Sequence, residues 1–235
     1  IIFINKTKNF WKVIMHNVKD NLLSIESEIN IKINKLKFKN YNPKIIAVSK
    51  TFSMKEILPL INHGHIHFGE NKVQEAIEKW SNIKNDFHHI KLHMIGKLQT
   101  NKVKYVVPLF DYIHSLDNIK LAEKIANEEI KNKKKLNIFI QINVGNEDQK
   151  NGISVDALDD FYKKCTDELG LKIVGLMCLP PNNKDSSIYF SLMQKLVKKF
   201  SLKESSMGMS NDYLDAINFK ATYLRIGSKI FGLRN

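Results

Sequence analysis

Hydrophobic residues in this chain follow two periodicities. Apolar residues recur at three- or four-residue spacing from Val18 to Ile29, which predicts a first helix from near Met15 toward Leu36. Beyond it, short apolar runs of strand length alternate with amphipathic segments of helical spacing. The predicted strands are Ile45–Ser49, Ile66–Phe68, Leu92–Ile95, Tyr112–Ser115, Ile138–Val144, Ile173–Met177, Ser205–Met207 and Tyr223–Ile226.

Amphipathic helical segments separate these strands. They lie near 54–62, 71–84, 99–106, 118–133, 155–168, 186–200 and 211–219. Several begin just after a residue whose side-chain oxygen can accept a hydrogen bond from the first turn of a helix. The predicted N-caps are Ser53, Asp117, Ser154, Asp185 and Ser210.

Regular alternation of eight strands with helices over 235 residues predicts an α/β protein, a single (β/α)8 TIM barrel with an extra N-terminal helix. A doubly wound open sheet is the alternative, but its usual GxGxxG turn does not follow the first strand. We expect residues 1–14 to be an N-terminal extension, and residues 15–235 to form the barrel domain.

The stretch KIIAVSK at 44–50 places a charged side chain at the end of a core strand. Strand alternation puts Ile46, Val48 and Lys50 on one face. If Val48 points into the barrel, Lys50 lies at its mouth, where the reactive groups of TIM barrels gather. A desolvated lysine amine there forms Schiff bases, either with a substrate carbonyl or with pyridoxal phosphate.

Two short stretches predict an anion site beside this lysine. SSMGMS at 205–210 ends the seventh strand and LRIGS at 224–228 ends the eighth, where barrels commonly bind phosphate through backbone amides and hydroxyls. Arg225 lies within the second stretch, and its planar fork suits donation to a ring nitrogen. Pairing of Arg225 with a barrel carboxylate is the alternative.

Composition argues against several classes of partner. The net charge of +13 comes almost entirely from lysine, since Arg225 and Arg234 are the only arginines, and no zinc-finger or RNP-like motif is present. No apolar stretch approaches the ~18 residues that span a bilayer. We therefore predict no nucleic acid and no membrane as partners. The two cysteines lie far apart, which favours a reducing, cytoplasmic compartment, although the basic, acid-free residues 1–14 partly resemble a mitochondrial leader.

Other reactive side chains carry weaker signals. His63, His65 and His67 alternate in HGHIHFG and would share one strand face, but no acid or cysteine is spaced to complete a metal site. We predict no metal. His93 and His114 fall within strands, where a barrel-lining or core role is expected, and Cys178 has no neighbouring base.

Eight motifs together resemble one known family. They are AVSKT at 47–51, HFGENKVQEAIEK at 67–79, LHMIGKLQTNK at 92–102, IHSLDNIKLAEKI at 113–125, QINVGNEDQKNG at 141–152, GLMCLP at 175–180, SMGMSNDYLDAI at 206–217 and RIGSKIFGLR at 225–234. In order and spacing they resemble the YggS/PROSC family of pyridoxal phosphate homeostasis proteins, whose fold is that of the alanine racemase N-terminal domain.

The resemblance implies pyridoxal 5'-phosphate (PLP) as cofactor and assigns residues to it. Lys50 would hold PLP as an internal aldimine, and Arg225 would face the pyridine nitrogen. Met209 and Asn71 would line the cofactor. The phosphate would be held by Ser210, Gly227 and Ser228.

The same resemblance implies an intracellular buffer or carrier of PLP with PLP-dependent apo-enzymes as recipients, and we expect a monomer without catalytic residues. The alternative is a racemase-like PLP-dependent amino-acid enzyme. We expect no second β domain after the eighth strand, because nine residues follow it. A racemase needs acid/base groups on both faces of the substrate carbanion. An arginine at the pyridine nitrogen also disfavours the protonated ring that stabilises carbanions.

Overall fold

The computed structural model describes residues 2–145, 151–181 and 185–232, with side chains from residue 18 onward. Its strands form one closed parallel barrel in which each strand pairs with the next and the last pairs with the first. The predicted TIM barrel is confirmed. Its strands are β1 (Lys44–Val48), β2 (His67–Glu70), β3 (Lys91–Met94), β4 (Tyr112–Leu116), β5 (Asn137–Ile142), β6 (Ile173–Cys178), β7 (Glu204–Met209) and β8 (Tyr223–Ile226).

Helices precede, separate and follow these strands. The segments predicted near 71–84 and 155–168 each consist of two pieces, and a 3-10 turn at Thr100–Lys102 precedes the fifth helix. The π-helical turn Lys164–Glu168 follows the seventh helix. The helices are α1 (Ile2–Lys35), α2 (Met54–Asn62), α3 (Val73–Trp80), α4 (Ile83–Asp86), α5 (Val103–Leu109), α6 (Ile119–Asn132), α7 (Leu158–Lys163), α8 (Ser186–Lys199), α9 (Tyr213–Asn218) and α10 (Ser228–Phe231).

Helix α1 begins at Ile2, earlier than the sequence pattern predicts. Its described side chains bury an apolar stripe that includes Leu22 and Ile25, and the helix packs against α2, α9 and α10. Asn21 donates to the carbonyl of Ile230 at 2.9 Å. Helix α1 therefore covers the seam where the two ends of the barrel meet, while the boundary at residue 15 stays a prediction.

Two of the predicted N-caps are confirmed. At the start of α2, the backbone N–H of Ser53 donates to the Glu56 carboxylate at 2.7 Å, one half of a capping box. At the start of α8, the Asp185 carboxylate accepts from the backbone N–H of Ser187 at 2.9 Å.

The other three predicted caps are wrong by one to three residues. Helix α6 is capped by Asn118, whose extended backbone lets its side chain accept from the N–H of Leu121. Ser154 still accepts from the N–H of Ala157 at 3.3 Å, but the helix begins after that residue. The observed cap positions are Asn118, Ala157 and Asp212, in place of Asp117, Ser154 and Ser210.

The barrel interior departs from the branched aliphatic filling usual for this fold. His93 stacks on Tyr112 with ring centroids 4.2 Å apart, and His114 stacks on Phe139 at the same distance. Both histidines are fully buried, which confirms their predicted core role. An apolar cluster completes the interior, comprising Ile46, Phe139, Met177 and Tyr223.

Candidate functional site

The C-terminal ends of the eight parallel strands meet at one end of the barrel, which we call the mouth. Because the strands are parallel and the barrel is closed, residues that follow different strands surround the same opening. The structure thus brings the predicted site residues to one end of the molecule, although their separation along the chain is large. These residues are Lys50, Asn71, Met209, Ser210, Gly227 and Ser228, with Arg225 inside β8.

Strand register fixes the height of each group along the barrel. Ile46 on β1 pairs with Arg225 on β8 and belongs to the interior cluster, so both lie at the same level. A Cβ placed on Gly227 would lie 3.3 Å from the Cβ of Val48. These two residues therefore lie one level closer to the mouth than Ile46 and Arg225. Lys50 follows Val48 by two residues and is half-buried. Strand β1 ends at Val48 and Lys50 lies in the turn that follows, so the expected placement of its side chain above Val48 stays a prediction.

The loops after β7 and β8 lie in contact. The backbone N–H of Gly227 donates to the hydroxyl of Ser210 at 3.3 Å, and Met209 is the register partner of Arg225. Ser228 is exposed at the start of α10. Small side chains, a hydroxyl and backbone amides therefore lie together where β7 and β8 end.

Arg225 is 4% exposed and is held at two points. Its Nη1 donates to the hydroxyl of Ser206 at 2.6 Å, and its Nη2 donates to the carbonyl of Cys178 at 2.8 Å. Burial lowers the pKa of Arg225, and the nearby Cys178 and Asp212 oppose that change. Both hydrogen-bond acceptors are neutral groups, unlike the carboxylate partner that we considered from the sequence.

Asn71 stands where β2 and β3 approach each other at the mouth. A Cβ on Gly96 would come within 2.3 Å of the Asn71 carbonyl oxygen, a separation that no side chain tolerates. Glycine at position 96 therefore allows the backbone after β3 to approach Asn71 closely.

A buried ionic network that the sequence analysis missed supports the segment around Lys50. The ammonium of Lys79 lies 2.7 Å from the carboxylate of Glu70, which is fully buried. It also donates to the carbonyls of Ser49 at 2.8 Å and Phe52 at 3.3 Å, on either side of Lys50. An acid at the end of a strand in HFGENKVQEAIEK is the signal that points to this network.

A second network, also missed from the sequence, runs through the barrel interior. His67 Nδ1 lies 2.9 Å from His93 Nε2, and His93 Nδ1 lies 2.9 Å from His114 Nε2. His114 Nδ1 lies 2.9 Å from the hydroxyl of Ser206, which holds Arg225. One histidine on each of three successive strands was the available signal.

The remaining candidate groups have structural roles. His63 caps α2 and His65 bonds the carbonyl of His67 at 2.9 Å, so HGHIHFG does not present its imidazoles along one strand. Among the residues that the structure describes, no cluster of three or more potential metal ligands is present. Burial raises the pKa of the thiols of Cys165 and Cys178 to about 12, which leaves them protonated and unreactive. No described helix is long and apolar enough to cross a bilayer.

Comparison with known proteins gives this arrangement a family. A family model described as the alanine racemase N-terminal domain matches residues 27–235. A pyridoxal phosphate homeostasis protein of Pasteurella multocida is 33% identical over 228 residues, covering 93% of this chain and 98% of the relative. The chain belongs to the pyridoxal phosphate homeostasis protein family. A member from Aquifex aeolicus is 36% identical over 200 residues, 81% of this chain and 87% of its own.

Solved structures show how far the family fold extends. A protein of unknown function from Bifidobacterium adolescentis matches with a TM-score of 0.86 at 25% identity, over 93% of this chain and 96% of its own. PipY of Synechococcus elongatus, solved with PLP bound, matches with a TM-score of 0.73 at 29% identity, over 87% of this chain and all of its own. Alanine racemase of Corynebacterium glutamicum matches at 14% identity with a TM-score of 0.65, so it shares the homeostasis-family fold over 61% of its length.

Proposed function

We propose that this protein binds PLP at the barrel mouth and acts in intracellular PLP homeostasis as a buffer or carrier. The relatives at 33% and 36% identity bear that name, and PipY binds PLP. The observation that carries the proposal is the placement of Lys50, Arg225 and the Ser210–Gly227 contact at one mouth. An amine, a ring-nitrogen donor and an anion site are the three groups that PLP requires.

Lys50 supplies the amine in this proposal. PLP, when bound, contributes an aldehyde that forms a reversible Schiff base with a lysine. Lys50 is half-buried in the turn that follows β1, and the carbonyls of Ser49 and Phe52 on either side of it accept hydrogen bonds from Lys79. The residue is therefore presented on a fixed backbone.

The loops after β7 and β8 fit the phosphate. Glycine at position 227 leaves open the space beside Val48 that a Cβ would fill, and its N–H points toward Ser210. We assign the phosphate to Ser210, Gly227 and Ser228, in the region where TIM barrels commonly bind one. We assign Asn71 and Met209 to the remaining sides of the ligand.

In this assignment Arg225 faces the ring nitrogen of PLP. Its charge then affects whether the bound ligand can support amino-acid chemistry. Within the described residues its fork donates two of five N–H groups to the protein, through Nη1 and Nη2. A guanidinium stays protonated at neutral pH and disfavours a proton on the adjacent ring nitrogen. A ring without that proton is a weak electron sink, so the site suits storage and release of the ligand better than amino-acid chemistry.

Binding is tested by spectroscopy and peptide mapping. Titration of PLP into the ligand-free protein should produce a visible absorption band, and borohydride should fix the ligand covalently to the peptide that contains AVSKT. Lys50→Ala should abolish both signals. Lys55→Ala, a change to an exposed lysine on α2, should alter neither. A reduced adduct on another lysine, with Lys50→Ala unchanged, would overturn the assignment.

Two assays separate a carrier from an enzyme. The PLP-loaded protein should reactivate an apo-enzyme that depends on PLP, and it should not exchange the α-proton of L-amino acids in heavy water at a rate above background. Repeated exchange turnovers that disappear in Lys50→Ala would identify an enzyme. Absence of reactivation would leave buffering as the only role.

A further inference from the structure

Four side chains connect Arg225 to the N-terminal end of the barrel. His67, His93 and His114 lie on β2, β3 and β4, and Ser206 lies on β7. Each is joined to the next by a contact of 2.9 Å, and Arg225 Nη1 reaches Ser206 at 2.6 Å. The far end, His67, is half-buried beside Tyr223, whereas His93 and His114 are fully buried. We call these four residues the histidine chain.

The arginine determines the direction of every hydrogen bond in the chain. A guanidinium only donates, so Ser206 must accept from Arg225. The hydroxyl proton of Ser206 then needs its own acceptor. Within the part of the chain that the structure describes, His114 Nδ1 is the only other atom in hydrogen-bond contact with that hydroxyl. Ser206 therefore donates to His114.

The donor and acceptor roles of the other residues in the histidine chain follow from this bond. His114 accepts at Nδ1, so its proton is on Nε2 and is donated to His93 Nδ1. His93 likewise carries its proton on Nε2 and donates it to His67 Nδ1. The opposite direction would leave the Ser206 hydroxyl proton without an acceptor in the barrel core, which is unfavourable for a buried polar group. All three neutral imidazoles thus have the Nε2–H form.

The surroundings keep these imidazoles uncharged. Burial lowers the pKa of His93 and His114 far below the ordinary histidine value, and the charge of Arg225 adds to this at His114. Burial also lowers the pKa of His67 to about 4. The nearby charges of Lys44 and Lys91 lower this pKa further, whereas the charge of Asp111 raises it.

We infer that the histidine chain holds Arg225 in the orientation that faces the ligand, so that His93 and His114 are positioning residues for PLP. This inference rests on the proposed function. The geometry supports it because Ser206 is one of two groups that fix the Arg225 fork, and Ser206 is itself oriented by His114. His93 is connected to Arg225 through His114 and Ser206. Replacement of His93 should therefore change the binding of the ligand although His93 does not contact Arg225.

The first measurement needs no ligand. Long-range ¹H–¹⁵N NMR correlations of the ¹⁵N-labelled, PLP-free protein at pH 7 report which ring nitrogen of each histidine carries the proton. We expect Nε2–H for His67, His93 and His114. An Nδ1–H form or a charged ring at any of the three would overturn the inferred direction.

The second measurement follows the ligand in variants. His93→Leu and Arg225→Met should shift the absorption band of bound PLP in the same direction, and His93→Leu should weaken PLP binding by up to roughly tenfold, the scale of one hydrogen bond. His93→Gln, which keeps one donor and one acceptor, should restore part of the affinity. Leu92→Val alters a buried neighbour on β3 that faces away from the interior, and it should change neither band nor affinity.

The outcomes distinguish the two proposals. A band that moves in Arg225→Met but not in His93→Leu would refute positioning by the chain, and a band that moves in neither would refute the contact of Arg225 with the ligand on which positioning depends. If the unaltered protein binds no PLP, the proposed function fails, and positioning of a PLP ligand fails with it. Should His93→Leu not fold, His93→Gln and the NMR measurement decide.

Discussion

Replacement of Lys79 by methionine tests the network that supports the Lys50 segment. Methionine is unbranched and of similar length, so the change removes the charge while filling most of the space. Lys79 is 12% exposed and lies 2.7 Å from Glu70, whose side chain is fully buried. The variant therefore leaves a carboxylate in the protein interior without its cation.

The expected loss of stability follows from that burial. Removal of one partner from a buried ion pair costs about 3–5 kcal/mol, because the remaining charge is neither solvated nor paired. Glu70 keeps two hydrogen bonds, from Ser49 at 2.7 Å and from Trp80 at 3.0 Å, which places the expected cost at the lower end. For a domain of this size, 3 kcal/mol corresponds to roughly 6–12 °C in melting temperature.

Urea unfolding of the PLP-free protein measures this loss, with PLP binding measured in parallel. Lys79→Met should also bind PLP more weakly, since Ser49 and Phe52 lose the donor that holds their carbonyls. Adding Glu70→Gln should restore much of the stability, because the fully buried charge is then removed, whereas Glu75, the other carboxylate 2.8 Å from Lys79, is partly exposed. Lys164→Met, at an exposed ion pair, serves as control and should cause no measurable change.

The reasoning would be refuted by Lys79→Met unfolding at the same urea concentration as the control. It would also be refuted if the double variant were less stable than the single one. In either case the Glu70–Lys79 contact would not be a stabilising buried pair.

Three further predictions concern the mouth, the buried histidines and the N-terminus. Gly227→Ala should weaken the binding of PLP more than the binding of pyridoxal. The fold should be retained, because the φ of −117° at Gly227 is open to any residue. Equal losses of affinity for both ligands would contradict the phosphate assignment. The pKa values of His65 and His67 are lowered to about 4, and those of His93 and His114 are also depressed, so the folded state binds fewer protons than the unfolded one in acid. The free energy of unfolding should be greatest above pH ~6.5 and fall as pH drops toward 4, by up to about 1.4 kcal/mol per pH unit for each histidine, and equal unfolding midpoints at pH 7.5 and 5 would contradict this. A chain that begins at Met15 should fold and bind PLP like the full chain, because Val18 is the first described core residue of α1; insolubility would refute the boundary.

Much of the barrel could be predicted because its signals are local. Strand bounds agree within about two residues at most positions, since each strand is a short apolar run between polar segments. Helix α2 has the bounds that the sequence predicts, because its cap residue Ser53 is a local signal. The break after Trp80 was missed because continued helical periodicity on both sides hides it.

The two interior networks could not be predicted, because they join residues from separate parts of the fold. Lys79 and Glu70 are neighbours only because α3 packs against β2, and a lysine among so many others gives no signal. Ser206 and His114 are 92 residues apart in sequence. Alternation indicates that a histidine faces inward, but not which side chain meets it across the barrel.

Closure of the barrel between β1 and β8 has a consequence for how the protein is made. Lys44 and Tyr223, which pair across that seam, are separated by 179 residues. At ~5–20 residues per second, a ribosome needs roughly 10–40 s between emitting the first strand and the last. During that interval β1 has a free edge on one side, and Lys50 has no Arg225 or Gly227 near it. If Lys50, Arg225 and Gly227 form the ligand site as proposed, that site exists only after the final folding step, so that PLP would bind the finished barrel and could not guide its earlier assembly.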